Sequence, residues 1–378
     1  MLFRSWLDDY ALFVCLRERF RKESWNTWPR PLKMRDPDAL ETTRRELGPQ
    51  LDVVRALQFA FQEQWQLLHD YAKKQGVKIV GDVAIFVNYD SADVWRHPEL
   101  FLLDAESEPT VVSGVPPDVF SKSGQRWGNP LYRWDALKER GFEWWIARMR
   151  RATSLCDYVR LDHFRGFLQH WEIPAEELDA VKGRWVDGPK EELFLALKKA
   201  LGDLPFLAED LGIITPDVDA LRKKLHMPGM KVLQFGFGDK GSHIYLPHNY
   251  ETACVAYTGT HDNDTTVSWW ESLDEAGRAP VRAYLGEPDD GIHWAMIRAV
   301  VTSPAALALI PAQDVLGLGS EGRMNTPSRP DSNWGWRLTR GQLNGGLAAK
   351  LGALTEVADR EPPCAKPKAK KIPLEKSS

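Results

Sequence analysis

The sequence predicts an α/β protein of the parallel, barrel-forming kind, and three observations carry that reading. Short apolar runs recur along the chain, near-continuous as in strands covered on both faces. Helix-like segments separate them at about the spacing of βα units. Three of the runs end in acidic residues with polar company: Val159-Arg160-Leu161-Asp162, Phe206-Leu207-Ala208-Glu209-Asp210, and Tyr257 through Asp264. In parallel barrels the loops and the chemistry gather where strands end. The chain has 378 residues, enough to bury one barrel-sized core or two smaller ones.

The strands are placed at Lys78–Val87, Tyr158–His163, Pro205–Leu211, Lys231–Phe237, Val255–Thr260 and Leu307–Val315. Gln50–Gly76 is long and amphipathic, and Glu191–Leu201 sets Leu193, Leu195 and Leu197 among lysines. Thr215 suits an N-cap, with Pro216 at the first helical position ahead of Asp217–Leu225. Residues 88–157 break the rhythm. They carry Pro98, Pro109, Pro116, Pro117 and Pro130, then a Trp-rich helix near Glu143–Arg151, and read as a loop-rich insertion on the active-site side. Residues 1–354 form the barrel domain. The Lys/Pro-rich segment 355–378 reads as a disordered tail dispensable for chemistry, a solvated terminus before a nucleic-acid contact. Only six strands are visible where a closed barrel has eight. The other two are hidden in residues 1–77 or absent.

Composition narrows the function. Net charge is −4, with lysines and arginines offset by acids along most of the chain, so no phosphate-backbone partner is indicated. The four cysteines form no Cys-x-x-Cys pair, which argues for reduced thiols in a cytoplasmic protein. Asp8 and Asp9 interrupt the first apolar run before it reaches signal-peptide length. No stretch approaches the ~20 apolar residues of a membrane helix. The sixteen tryptophans suit stacking on sugar faces, although core packing must account for most of them.

Residues two apart in a strand face the same way, so Arg160 and Asp162 point together. The guanidinium would keep Asp162 ionised for nucleophilic attack; a purely structural pair is the alternative. Glu209 follows Leu207 and Ala208 and adjoins Asp210, surroundings compatible with the raised pKa of a general acid, though Asp210 should point to the other face. His261-Asp262-Asn263-Asp264 is dense for a mere turn. Metal ligation there is disfavoured because no second histidine lies at a ligand-like spacing. Two carboxylates can cleave a glycosidic bond while a third holds the sugar.

Taken in order, nine segments resemble the 4-α-glucanotransferase family, also called amylomaltase or disproportionating enzyme. They are Gly81–Trp95, Gly114–Asp118, Gly124–Pro130, Arg160–Gly166, Ala208–Gly212, Pro228–Phe235, Tyr257–Asp264, Arg323–Asn325 and Asn333-Trp334. The resemblance implies a (β/α)8 barrel with insertions and retaining glycosyl transfer between α-1,4-glucans such as maltooligosaccharides, starch or glycogen, with no cofactor or metal. It makes Asp162 the nucleophile, Glu209 the acid/base and Asp262 the carboxylate that binds ring hydroxyls. It gives Arg160 and His261 to the donor sugar and the nucleophile, Trp127, Phe120 and Asp239 to the glucan groove, and Asp82 to substrate binding. Two departures stand out. Val119 replaces the first of an aromatic pair found in some members, removing one stacking surface. Family members also begin with a segment bearing the first barrel strands, and this chain opens after it, at Ser5–Phe13. The expectation is a barrel lacking two strands, with two exposed apolar edges prone to aggregation. The competing readings are an inactive fragment that at most binds glucan and an α-glucan hydrolase with a wetter acceptor side.

Overall fold

A computed structural model describes residues 4–118, 121–238, 242–286, 291–327, 329 and 331–361. The chain forms two compact units, Met1–Gly229 and Met230–Ser378.

The first unit holds β1 (Val80–Ala84), β2 (Val111–Val115), β3 (Gln125–Pro130), β4 (Tyr158–Asp162), β5 (Gln169–Pro174), β6 (Arg184–Asp187) and β7 (Phe206–Ala208). Strands β1, β4 and β7 make a parallel sheet in the order β1-β4-β7, with Asp82 opposite Arg160, Ala84 opposite Asp162 and Leu161 opposite Ala208. Because the strands are parallel and in register, the polar residues that follow β4 and β7 emerge at the same edge. The helices Glu143–Leu155 and Lys190–Leu201 belong to the same unit. Its core is strongly aromatic, with Trp25, Trp95, Trp145, Phe164, Phe167 and Phe194 all buried.

Helix periodicity corrects one detail. Lys190–Leu201 buries Leu193, Phe194 and Leu197 but leaves Leu195 55% exposed, because helical residues two apart point nearly opposite ways. Thr215 precedes the Pro216–Lys224 helix as placed, yet its hydroxyl bonds the Asp217 carboxylate and caps no backbone amide.

A second sheet was not legible in the apolar pattern. It is antiparallel, in the order β3-β2-β5-β6, so residues 88–157 contribute two of its strands and residues 169–187 the other two. β5 hides because two of its buried residues are polar, His170 and Glu172. Glu172 is neutralised across the ladder by Arg184, whose Nε donates to Oε1 at 2.7 Å.

The long helix spans Gly48–Lys74, and Val53, Leu57, Phe61, Leu68 and Tyr71 are exposed along it. β1 is the outer strand of its sheet and pairs with β4 alone among the described residues.

The second unit carries β9 (Cys254–Tyr257), β10 (Leu307–Leu309) and all of β8 (Gly229–Val232) but its first residue, Gly229, which belongs to the first unit; the order is β10-β9-β8 with β9 and β10 parallel. Two expected strands are shorter than the apolar runs that predicted them. Lys231–Phe237 leaves the extended conformation after Val232 and continues as a 3-10 helix, Leu233–Phe237. Gly236 there lies against the Tyr245–Leu246 backbone and side chain, where a Cβ would come within 2.8 Å of Leu246. Leu307–Val315 stops at Leu309. Pro311 has no N–H for the ladder, and Ala312–Leu316 is helical. The Ile292–Val301 helix fills this unit's core with Trp294, Met296, Ile297, Val300 and Val301. Ordered structure continues beyond residue 354: the last helix is Gly345–Val357, and the Arg360 guanidinium donates to the carbonyls of Val301, Ser303 and Ala305. The rest of the expected tail, from Pro362, lies outside the described residues.

The fold is therefore α/β, but the described strands of each unit form open sheets and close no eight-stranded barrel. Closure requires two neighbours for every strand, and β1, β7, β8 and β10 are the outer strands of their sheets. Among the described residues, no helix is long and apolar enough to cross a membrane.

Candidate active site

In β4, Val159 and Leu161 are buried while Arg160 and Asp162 turn to the opposite face. The Arg160 guanidinium bridges two carboxylates. Its Nη2 donates to Asp162 Oδ1 at 2.7 Å, and its Nη1 donates to Asp82 Oδ2 at 2.6 Å on the neighbouring strand. Asp82 is directly opposite Arg160 in the ladder, so strand pairing builds this contact. The Asp162 side chain remains 41% exposed.

Glu209 sits just past β7 in the opposite environment, only 8% exposed. Its Oε2 accepts from the His163 amide and its Oε1 from the Leu211 amide, both at 2.8 Å. His163 adopts a left-handed backbone, φ 53°, an uncommon state for a residue with a side chain. Immediately after it, the Phe164 amide donates to the Glu209 carbonyl at 3.0 Å. Burial pushes the Glu209 carboxyl up to about 7, and the negative charge of Asp162 adds to that rise; Arg160 and the two amides oppose it. One carboxylate is thus open to solvent beside a cation, while its neighbour is buried and retains a proton near neutrality. Such a split separates a nucleophile from a proton donor.

Asp210 serves the fold instead. It turns away from Glu209 and pairs with buried Arg222, Nε to Oδ2 at 3.1 Å. A Cβ at Gly229 would fall 2.4 Å from Asp210 Oδ2, so glycine there makes room for the carboxylate.

His163 and His170 are poor candidates for acid/base chemistry at neutral pH. Burial, with Arg165 nearby, lowers His163 to about 3, and burial lowers His170 to about 4.

Of the sixteen tryptophans, only Trp127 and Trp334 expose a large part of the ring, 39% and 53%. Trp127, in β3, meets the His163 ring edge-on with centroids 4.8 Å apart, and its Nε1 donates to Gln125 Oε1. Trp334 packs on His261 with centroids 5.0 Å apart. Both exposed indoles therefore touch a residue adjoining one of the sequence-predicted carboxylates, Asp162 or Asp262.

In the second unit, Asp262 lies in the turn beyond β9. Asn263 builds that turn, its Oδ1 accepting from the Thr260 amide and hydroxyl at 2.9 Å. Asp262 itself stays half-exposed. Asn325 Nδ2 donates to its Oδ1 at 2.6 Å, and His261 Nε2 lies 3.4 Å from its Oδ2. Arg323 donates to the Asp262 carbonyl at 3.0 Å and pairs with Asp264. Beneath the turn, buried Asp314 accepts from the Thr258 hydroxyl and from the amide and hydroxyl of Thr266. Asp314→Ala strands these groups in a fully buried place and should cost about 3 kcal/mol of unfolding free energy. Urea denaturation of the variant measures this, and a loss below ~0.5 kcal/mol would show that the network adds nothing.

The sequence-predicted residues Asp82, Arg160, Asp162, Glu209 and Trp127 thus fall in the first unit, and His261 and Asp262 in the second. Phe120 and Asp239 lie outside the described residues. The amides of His163 and Leu211, and the Arg323 and Asn325 side chains, were not anticipated as site groups. The first two act through the backbone and leave no mark on side-chain pattern. Arg323 and Asn325 sit in a segment that resembles the family but stands about sixty residues from Asp262. Among the described residues, no three His, Cys, Asp or Glu side chains are grouped to hold a metal.

The family model for 4-alpha-glucanotransferase matches residues 3–343. A 4-alpha-glucanotransferase of Thermus thermophilus is 48% identical over 363 residues, covering 94% of this chain and 73% of the relative. A chloroplastic/amyloplastic 4-alpha-glucanotransferase of Arabidopsis thaliana is also 48% identical, covering 88% of this chain and 58% of its own length. The fold superposes on an amylomaltase from Streptococcus agalactiae, solved in complex with acarbose, with a TM-score of 0.92 and 37% identity; 95% of this chain and 73% of that one are covered.

Proposed function

Because the chain belongs to the 4-alpha-glucanotransferase family, we propose that it moves α-1,4-glucan segments to the 4-hydroxyl of an acceptor glucan by retaining double displacement, with Asp162, Glu209 and Asp262 in separate roles. Glu209, protonated below about pH 7, gives its proton to the glycosidic oxygen as the Asp162 carboxylate attacks the anomeric carbon. The bond to the leaving glucan breaks and a glucosyl ester of Asp162 forms. Glu209 is then a base. It takes the proton of the acceptor 4-hydroxyl, whose oxygen displaces Asp162 and restores the original anomeric configuration. Asp262 binds ring hydroxyls of the donor sugar and stabilises the oxocarbenium-like transition state. The chemistry requires carboxylates alone, without cofactor or metal.

The observation that carries this reading is the contrast at the ends of β4 and β7: an exposed carboxylate held by Arg160 beside a buried one raised to about 7. Arg160 and His261 hold the donor sugar and the nucleophile, and Asp82, bonded to the other side of the Arg160 guanidinium, serves substrate binding. Trp127 offers an exposed indole to the glucan, and the family resemblance assigns Phe120 and Asp239 to the same groove. Transfer prevails over hydrolysis only where an acceptor sugar is seated and water is excluded. In this reading the parallel strands belong to an incomplete barrel of the (β/α)8 type that lacks its first two strands, residues 1–354 form the catalytic domain, and the protein works on maltooligosaccharides, starch or glycogen in the cytoplasm.

Incubation of the purified protein with maltotriose tests it. The expected products are glucose together with maltodextrins longer than the substrate. Glucose and maltose without longer products would indicate a hydrolase, and no turnover by folded protein would refute both enzymatic readings.

A further inference from the structure

We infer that Asn325 is a positioning residue for Asp262, setting the plane of its carboxylate for the sugar. This deepens the proposed function and rests on the role given there to Asp262.

Asp262 is half-exposed, and an unrestrained aspartate at a turn would sample several rotamers. Two groups remove that freedom: Asn325 Nδ2 on Oδ1 at 2.6 Å, and the His261 ring near Oδ2 at 3.4 Å. A carboxylate only accepts, so the Asn325 amide must present its NH2 to Asp262, which fixes the amide orientation as well. Asn325 is itself anchored to the same turn. Its backbone amide donates to the His261 carbonyl at 3.0 Å, and its carbonyl accepts from Arg323 Nε at 3.0 Å. Arg323 closes the loop by donating to the Asp262 carbonyl. The flanking chain is pinned in turn: the Trp334 amide donates to the Met324 carbonyl at 2.7 Å, and the Thr326 amide to Asn333 Oδ1 at 2.9 Å. Arg323 and Asn325 therefore clamp the 260–264 turn through side chain and backbone together, with Met324 and Thr326 held by Trp334 and Asn333. Each carboxylate oxygen accepts more than one hydrogen bond, so Asp262 held this way still has lone pairs for sugar hydroxyls.

A transition-state contact depends steeply on placement, and a displacement of ~1 Å can cost ~100-fold in rate. Asn325→Ala should lower kcat for maltotriose disproportionation by about 10- to 100-fold with a smaller change in KM, since the contact it orients strengthens in the transition state. Asn325→Asp separates positioning from mere packing. Two carboxylates at that distance cannot both stay ionised, so the pair takes up one proton as pH falls. The proton then bridges the two oxygens and restores a donor to Asp262. Activity of Asn325→Asp relative to wild type should therefore recover from about pH 8 to about pH 5, while Asn325→Ala shows no such recovery.

Asp262→Ala is assayed alongside. Full activity in Asp262→Ala would overturn the role of Asp262 itself. An inactive Asp262→Ala with wild-type kcat in Asn325→Ala would overturn the positioning role alone. If Asn325→Ala also melts early, the Asn325→Asp profile decides: relative recovery at acid pH supports the inference, and a constant ratio to wild type overturns it.

Discussion

Asp162→Ala is expected to abolish transfer from maltotriose, with a loss on the order of 10⁴-fold or more in kcat/KM, because the proposed mechanism loses the group that forms the covalent bond. The fold should survive, because the Arg160 guanidinium keeps its 2.6 Å bond to Asp82 and Asp162 is already partly exposed to solvent. An unchanged thermal midpoint in the inactive variant would show that chemistry alone was lost. A second readout follows from charge. Asp162 is one of the two causes that raise Glu209, so its removal should move the Glu209 titration, followed by NMR, toward lower pH. Activity persisting at the wild-type level would refute the nucleophile assignment. An unmoved Glu209 titration would show that Asp162 does not act electrostatically on the acid.

Glu209 gives the second large effect, in rate and in stability. In its proposed role as the acid, Glu209 must be protonated for the first step, so the rate of glucosyl-enzyme formation should fall as pH rises through about 7. Glu209→Gln should remove nearly all transfer. The stability effect has a definite sign. The folded-state value of about 7 lies above the ordinary 4.5, so Glu209 favours the folded state most below about 4.5. That contribution is lost as pH rises through about 7, when a buried carboxyl must ionise. The shift corresponds to about 3 kcal/mol. Glu209→Gln cannot titrate, and its side chain matches the two backbone donors less well than a carboxylate does. Its absolute stability is therefore less informative than its pH slope. Between about pH 5 and pH 8, the stability of the wild type relative to Glu209→Gln should decline by about 3 kcal/mol in urea denaturation. A difference independent of pH would remove the basis for Glu209 as a buried acid.

Much of the molecule was legible because its signals are short-range. Apolar runs located all six strands of the two three-stranded sheets, an amphipathic pattern located the Gly48–Lys74 helix and leucines set among lysines the Lys190–Leu201 helix, each within two residues at each end. The alternation of side chains was enough to place Arg160 beside Asp162 in β4 and, just past β7, to send Asp210 away from Glu209. Apolarity could not say where a strand ends. Leu233–Phe237 and Ala312–Leu316 both fall within runs read as strands, but glycine packing and Pro311 accompany the exit of the chain from the ladder. Nor could it find β5, whose buried Glu172 becomes acceptable only once β6 brings Arg184 across from it.

The carboxylates themselves, their places after apolar runs and the family pattern around them were thus written in local order along the chain. Their chemical characters were not. Asp82 reaches Arg160 across 78 positions, the His163 amide reaches Glu209 across 46, and Asn325 reaches Asp262 across 63. A carboxyl group's hold on its proton depends on how much water folding removes and which charges it brings near. Pairing of β1, β4 and β7 sets both at once, leaving Asp162 open beside a guanidinium and Glu209 enclosed with its proton.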